Sequence, residues 1–260
     1  MEKARVVEKY LQAWSLQVVG TPIVGNNAHV IPVVDVLDRP SMLRIGDPRG
    51  DCALAWRMLQ EWDGDGAVRL YRHDVDEDVS LLERLDDRRT LDELPIDDAV
   101  TVAGRLRARL IRPVSYELPL LSELAARWTV ALRMSPRIPS ELGERAAGLC
   151  QDLAGTTVQS FLLNPDLHYH NVLAGSREPW LVIDPMPLIG DREFGLASLV
   201  WGRYDESTTD RLLSSLIETG GLDAERARAW TMVESTAKLL TSASPDVDRR
   251  CLAVAHDLDF

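Results

Sequence analysis

The segment SFLLNPDLHYHNVLAGSREPWLVIDPMPLIGD, residues 160–191, constrains this chain more than any other. Its apolar start, Phe161–Leu163, runs into a polar loop, Asn164–Asn171. Two short strands are predicted next, Val172–Ala174 and Trp180–Ile183, with Gly175–Pro179 as the hairpin turn between them. Asp184 closes the second strand, and Pro185 after it disfavours the helical region for the aspartate. The hairpin is expected to bring Asp166, Asn171 and Asp184 close together. Two carboxylates and an amide oxygen are hard ligands of the kind Mg²⁺ takes. Phosphoryl transfer uses such a set: metal ligands neutralise nucleotide phosphates, and a separate carboxylate orients and deprotonates the attacking hydroxyl.

The flanks of this segment differ in pattern. Residues 1–14 carry Val6, Val7, Tyr10, Leu11 and Trp14 at helical spacing. Short β-branched runs separated by Gly, Pro, Asn and Asp follow, which is an antiparallel-strand pattern. Asp51–Trp62 reads as a helix stopped by Asp63–Gly66. Two more strands, AVRLYRHD and VSLLERL, are joined by the acidic turn Val75–Asp78. Beyond Leu85 the pattern is helical: Leu91–Leu110 with a possible interruption at Pro95, Ser115–Leu132 and Ser140–Leu153, then the β-rich island 158–184, then helices to the end. The fold class expected is α+β, in two lobes. Residues 1–85 form an antiparallel sheet with one inserted helix, and residues 86–260 form a mainly helical lobe carrying the hairpin.

Composition narrows the partners. With 260 residues the chain is long enough for a substantial core. A net charge of −12 disfavours nucleic acid and permits a cationic substrate. No apolar run approaches the ~20 residues of a membrane helix, so a cytoplasmic protein without a membrane partner is the simplest reading. Cys52, Cys150 and Cys251 form no CxxC pair and are expected to be buried free thiols.

The run DLHYHNVLAGSREPWLVIDPMPLIGD resembles the catalytic and metal-binding loops of the aminoglycoside and hydroxyurea phosphotransferase family, streptomycin 6-kinases above all. The likeness extends to LLERLDDRRTLDEL, residues 81–94, which is similar to the family's hinge, and to WTMVESTAKLL, residues 230–240, similar to its C-terminal helix. It implies a protein-kinase-like fold and a phosphotransferase that uses Mg²⁺ and ATP or GTP. The acceptor would be a hydroxyl of a small molecule, an antibiotic or another natural product. Asp166 would be the catalytic base, and Asn171 and Asp184 the Mg²⁺ ligands. Main-chain groups from Glu83 to Leu85 would bind the base of the nucleotide.

The pattern also breaks. Arg44 stands where the family usually has a phosphate-clamping lysine, and Asp51 aligns with that lysine's glutamate partner. Arginine keeps the charge but is longer and planar, so the exchange is not conservative. Asn164 replaces the loop's usual histidine, Pro165 precedes Asp166, and Gly195 replaces an aspartate that anchors the loop from below. The turn VGNNAHV, residues 24–30, has one glycine where a nucleotide-covering loop is expected. These replacements keep a second reading open, a degenerate pseudokinase or binding module without transfer activity. His168 and His170 form an HxH pair that would suit a metal hydrolase only with a third ligand. Trp201 is a candidate liner of the acceptor site, and Asp205, Glu206 and Asp210 are candidates for holding an amine.

Overall fold

The helix α1 (Glu2–Ala13) presents Tyr10 to a sheet, and its apolar stripe decides which face of that sheet is covered. The sheet is built from β1 (Gln17–Val18), β2 (Ile23–Val24), β3 (His29–Val34) and β4 (Pro40–Ile45), then, after the helix α2 (Ala55–Trp62), β5 (Leu70–Asp74) and β6 (Val79–Glu83). Its order is β1-β3-β4-β6-β5, antiparallel throughout, with β2 also on β3. Side chains alternate across a pleated strand. Ile31, Val33, Leu43, Ile45, Val79 and Leu81 therefore share one face and are buried with Tyr10 and Leu16. Each such apolar side chain contributes roughly 1.5–3 kcal/mol when fully buried. The other face carries a polar row that the register sets out strand by strand: Arg44 opposite Ser80, and Ser80 opposite His73. In α2, Ala55, Met58, Leu59 and Trp62 form the buried stripe, and Asp63 caps its C-terminus in the left-handed region at φ 45°.

The remaining elements are β7 (Asp86–Thr90), α3 (Ile96–Leu110), β8 (Arg112–Pro113), α4 (Leu121–Met134), α5 (Ser140–Gly155), β9 (Phe161–Leu163), β10 (Val172–Ala174), β11 (Trp180–Val182), β12 (Leu188–Gly190), α6 (Ala197–Trp201), α7 (Thr209–Gly220), α8 (Ala224–Lys238) and α9 (Pro245–Asp257). Pro95 starts α3 rather than kinking a longer helix, because a missing N–H is tolerated at that end. A small antiparallel sheet runs β12-β9-β8, and another runs β11-β10-β7. Leu121, Ala125, Cys150, Leu153, Leu163, Leu188, Phe194, Trp230 and Val233 make one core. All three cysteines are free and buried. No helix among the described residues is long and apolar enough to cross a membrane.

The computed structural model describes residues 2–258 apart from Asn26, Asn27, Asp51, Ser115 and Val158, with backbone alone at Glu2 and Lys3. The expectations for Asp51, for the tip of the covering turn at Asn26 and Asn27, and for element starts at Ser115 and Val158 therefore fall outside the described residues.

The chain divides into two units, Met1–Arg88 with Ala174–Met186, and Arg89–Leu173 with Pro187–Phe260. This differs from a single boundary near residue 85, because the hairpin's second half groups with the first unit. The reason is local bonding. Val68 N–H donates to Val182 O at 2.9 Å and Val182 N–H to Gly66 O at 3.0 Å. Arg177 in the hairpin turn donates to Gly64 O (2.6 Å), Ala67 O (3.0 Å) and the Glu83 carboxylate (3.0 Å). Three strands, β7, β8 and β12, were not foreseen from sequence.

Candidate active site

In the second unit the loop that carries Asp166 is knotted by its own short polar side chains. Asn164 Oδ1 accepts from Asp166 N–H at 3.3 Å, and Asn164 O accepts from Leu167 N–H at 3.3 Å. A 3-10 turn, Tyr169–Asn171, closes the loop. Asn171 Nδ2 donates to Asp166 O at 3.2 Å. A carbonyl can only accept, so the amide nitrogen must take this bond, and Oδ1 is the end a cation would use. The loop rests on α6: Tyr169 Oη donates to Leu199 O (2.9 Å) and Ser198 Oγ to Leu167 O (2.7 Å). Asp166 itself is half-buried.

Beneath the loop the structure places Gly195 against Asn164 and Pro165. A Cβ on Gly195 would lie 3.5 Å from Pro165 Cα and 3.7 Å from Asn164 O. The two replaced positions therefore face each other. Gly195 holds φ +93°, a conformation L side chains rarely adopt. Its anchor is Glu234 of α8, whose carboxylate accepts from Gly195 N–H (3.0 Å) and Leu196 N–H (3.3 Å). Arg107 supplies the countercharge and donates to Phe194 O (2.6 Å) and to Arg192 O. Burial pushes Glu234 up to about 7 and brings Arg107 down to about 10. This clamp, found by no sequence motif, fixes the 192–196 backbone, of which Gly195 lies against the loop.

His168 is neutral in this setting, because burial lowers it to about 4. An acid-side penalty follows. Between pH 6.5 and 4 the unfolded chain binds the proton and the folded chain does not, so the contribution is present above 6.5 and is lost on acidification. The stability advantage of wild type over His168→Gln is expected to shrink by about 3 kcal/mol from pH 7 to pH 4. Urea unfolding of both proteins across that range measures it, and a constant difference would refute it. His170 is exposed, 3.7 Å from Asp92. Among the described residues no group of three His, Cys, Asp or Glu side chains could hold a metal, so the HxH pair gains no third ligand.

The acids proposed for an amine are already engaged. Asp205 pairs with Arg249 and Arg250, Glu206 with Arg203, and Asp210 with Arg228. Trp201 instead carries Lys238 Nζ 5.7 Å from its ring centroid.

In the first unit Asp184 follows β11 at φ +46°. Asp184 stays at the strand end and out of the right-handed helical region that Pro185 disfavours, and it does so in the left-handed region, which costs roughly 1–2 kcal/mol for a residue with a Cβ. Strain of this kind collects at functional positions. Asp184 Oδ1 is 3.8 Å from Arg44 Nε. Arg44 is only 7% exposed, yet its Nη2 has no hydrogen-bond partner among the described residues. Asp78, which sequence reasoning saw only as part of an acidic turn, accepts from Arg44 Nη1 at 3.1 and 3.3 Å. His73 Nδ1 lies 2.9 Å from Ser80 Oγ and its ring stacks on Trp56 at 4.9 Å. The Glu83 carboxylate is taken by Arg177 and Arg69 N–H, and its own N–H donates to Arg69 O. Leu85, half-buried, lies between β6 and β7.

An antiparallel sheet with an inserted helix, a helical part and a hairpin carrying an aspartate define a protein-kinase-like fold. Choline kinase LicA from Streptococcus pneumoniae matches it with a TM-score of 0.62 at 13% identity, over 99% of this chain and 99% of that one. The family model described as aminoglycoside/hydroxyurea antibiotic resistance kinase matches residues 13–243, and the chain belongs to that family. Streptomycin 6-kinase from Streptomyces glaucescens is 35% identical over 94% of this chain and 82% of its own length. Hydroxyurea phosphotransferase from Kitasatospora aureofaciens is 38% identical, over 87% and 69% respectively.

Proposed function

We propose that this member of the family transfers the terminal phosphate of ATP or GTP, with Mg²⁺, to a hydroxyl of a small natural product. The observation that carries the reading is the buried Arg44 Nη2, which has no hydrogen-bond partner among the described residues. An unpaired buried cationic donor is costly, and an anionic phosphate oxygen is the acceptor that relieves it. The donor set also fits the metal, since Asn171 Oδ1 and the Asp184 carboxylate are hard oxygens.

Asn171 and Asp184 would hold Mg²⁺, and Arg44 would take a phosphate oxygen. Main-chain groups of the Glu83–Leu85 stretch would face the base, with the Glu83 side chain excluded because Arg177 already binds it. The bound metal supplies charge neutralisation on the phosphates. Asp166 accepts the proton of the acceptor hydroxyl and orients its oxygen. Asn171, through its bond to Asp166 O, keeps the base and the metal ligand in one rigid turn. The solved complex of LicA with AMP supports a nucleotide in this fold. The relatives' names, streptomycin 6-kinase and hydroxyurea phosphotransferase, support a small acceptor. The net charge of −12 suits a cationic one.

Thermal unfolding with and without Mg²⁺–ATP or Mg²⁺–GTP tests the nucleotide half. At a hundred times Kd, a ligand of the folded state adds about 2.7 kcal/mol. Mass spectrometry after incubation with streptomycin, hydroxyurea or a panel of hydroxylated natural products tests the transfer half through the gain of one phosphate. No stabilisation by either nucleotide together with no phosphorylated product would sink the reading and leave the binding-module alternative.

A further inference from the structure

We propose that Asp78 is the positioning residue for Arg44, taking over from the β5–β6 turn the task of orienting the phosphate-binding cation. The inference rests on the phosphotransferase reading and adds to it a residue that no motif marks.

Three features show that the pair is built rather than incidental. Asp78 is 2% exposed, and its backbone sits at φ +47° while Asp78 O accepts from Gly46 N–H at 2.9 Å. A non-glycine residue holds that conformation only when its surroundings dictate it. Next, Arg44 Nη1 reaches both Asp78 oxygens, at 3.1 and 3.3 Å, and Nη2 has no hydrogen-bond partner among the described residues. One edge of the guanidinium is thereby fixed and the other is held for a ligand, which suits the planar fork of arginine. Finally, Gly46 leaves room for the pair. A Cβ there would fall 1.8 Å from Asp78 Oδ2 and 2.6 Å from Arg44 Nη1. Nothing larger than glycine fits beside the ion pair.

The geometry also explains the arginine. A carboxylate supplied by the turn between β5 and β6 lies beside the end of the neighbouring β4, and the short side chain of aspartate meets the long side chain of arginine there. A lysine at position 44 would carry all its donors on one nitrogen and lose the second, separately placed nitrogen that Nη2 offers. The more exposed Asp184, 3.8 Å from Arg44 Nε, is a looser contact and stays available for its metal.

The test is equilibrium Mg²⁺–ATP binding by calorimetry, with steady-state kinetics, on wild type, Asp78→Asn, Arg44→Lys, Asp78→Glu and the double variant Arg44→Lys with Asp78→Glu. Asp78→Asn is expected to weaken nucleotide binding about ten- to a hundredfold, the usual cost of losing a residue that orients a ligand-binding group. KM for ATP should rise by more than kcat falls. The longer acid should restore part of the affinity that Arg44→Lys loses, so the two changes couple rather than add. A folded Asp78→Asn protein that binds Mg²⁺–ATP within twofold of wild type would overturn the proposal and leave the phosphotransferase reading intact. If Asp78→Asn fails to fold, the coupling in the other variants decides, and strict additivity overturns the proposal. If wild type itself binds neither ATP nor GTP, the phosphotransferase reading fails and takes this inference with it.

Discussion

An Asp166→Asn protein is expected to transfer phosphate about a hundred- to ten-thousandfold more slowly than wild type, the range that a general base contributes. Its affinity for Mg²⁺–ATP should barely change. The asparagine keeps the size of the side chain, and two bonds that hold Asp166 in the loop run through its backbone: N–H to Asn164 Oδ1, and O from Asn171 Nδ2. Those two bonds survive while the proton acceptor is removed. Rapid-quench measurement of a single turnover, with nucleotide binding measured separately, distinguishes the two effects. Unchanged turnover would remove Asp166 from the role of base. A parallel loss of nucleotide affinity would show that the carboxylate serves the nucleotide instead.

The largest stability effect is expected at Glu234. Glu234→Ala strips the acceptor from Gly195 and Leu196 N–H and takes from buried Arg107 the strongest of the carboxylates that offset its charge, leaving Glu193 and Asp191. Removing one partner of a buried ion pair costs about 3–5 kcal/mol, which at about 2–4 °C per kcal/mol lowers Tm by at least about 6 °C. Glu234→Gln keeps an acceptor oxygen and should lose less. An alanine variant as stable as wild type would show that the clamp is not needed. The pH dependence has its own sign. Glu234 titrates near 7 in the folded chain against an ordinary value of 4.5, so the folded state holds the extra proton between those values. Its contribution is fullest below 4.5 and is lost as pH rises through 7. This opposes His168, so the wild-type profile is flatter than either variant's difference from it.

The hairpin was legible because everything that specifies it is local: alternating apolar residues, a turn of Gly175–Pro179, and polar residues at fixed offsets. The stripe of α2 and the buried thiols were legible for the same reason, whereas the helix region read from Leu91 begins as an α-helix only after Pro95. What escaped was set by partners distant in sequence. Asp78 is 34 residues from Arg44, and Glu234 is 39 from Gly195. No periodicity reveals such a pair. The strand β7, DDRRT, is almost wholly exposed and has no apolar alternation to announce it. The left-handed conformation of Asp184 was not foreseen, because the proline rule speaks against the right-handed helical region and is silent about the left-handed one.

The backbone passes from one unit to the other at three places, after Arg88, after Leu173 and after Met186. No single cut of the gene therefore yields the first unit whole. A fragment ending at residue 88 would keep the carbonyls of Gly64 and Ala67 and the acid of Glu83 but lose the one guanidinium that ties them. Splitting or recombining such proteins thus calls for carrying the short stretch 174–186 along with the N-terminal part, as a graft rather than as a truncation.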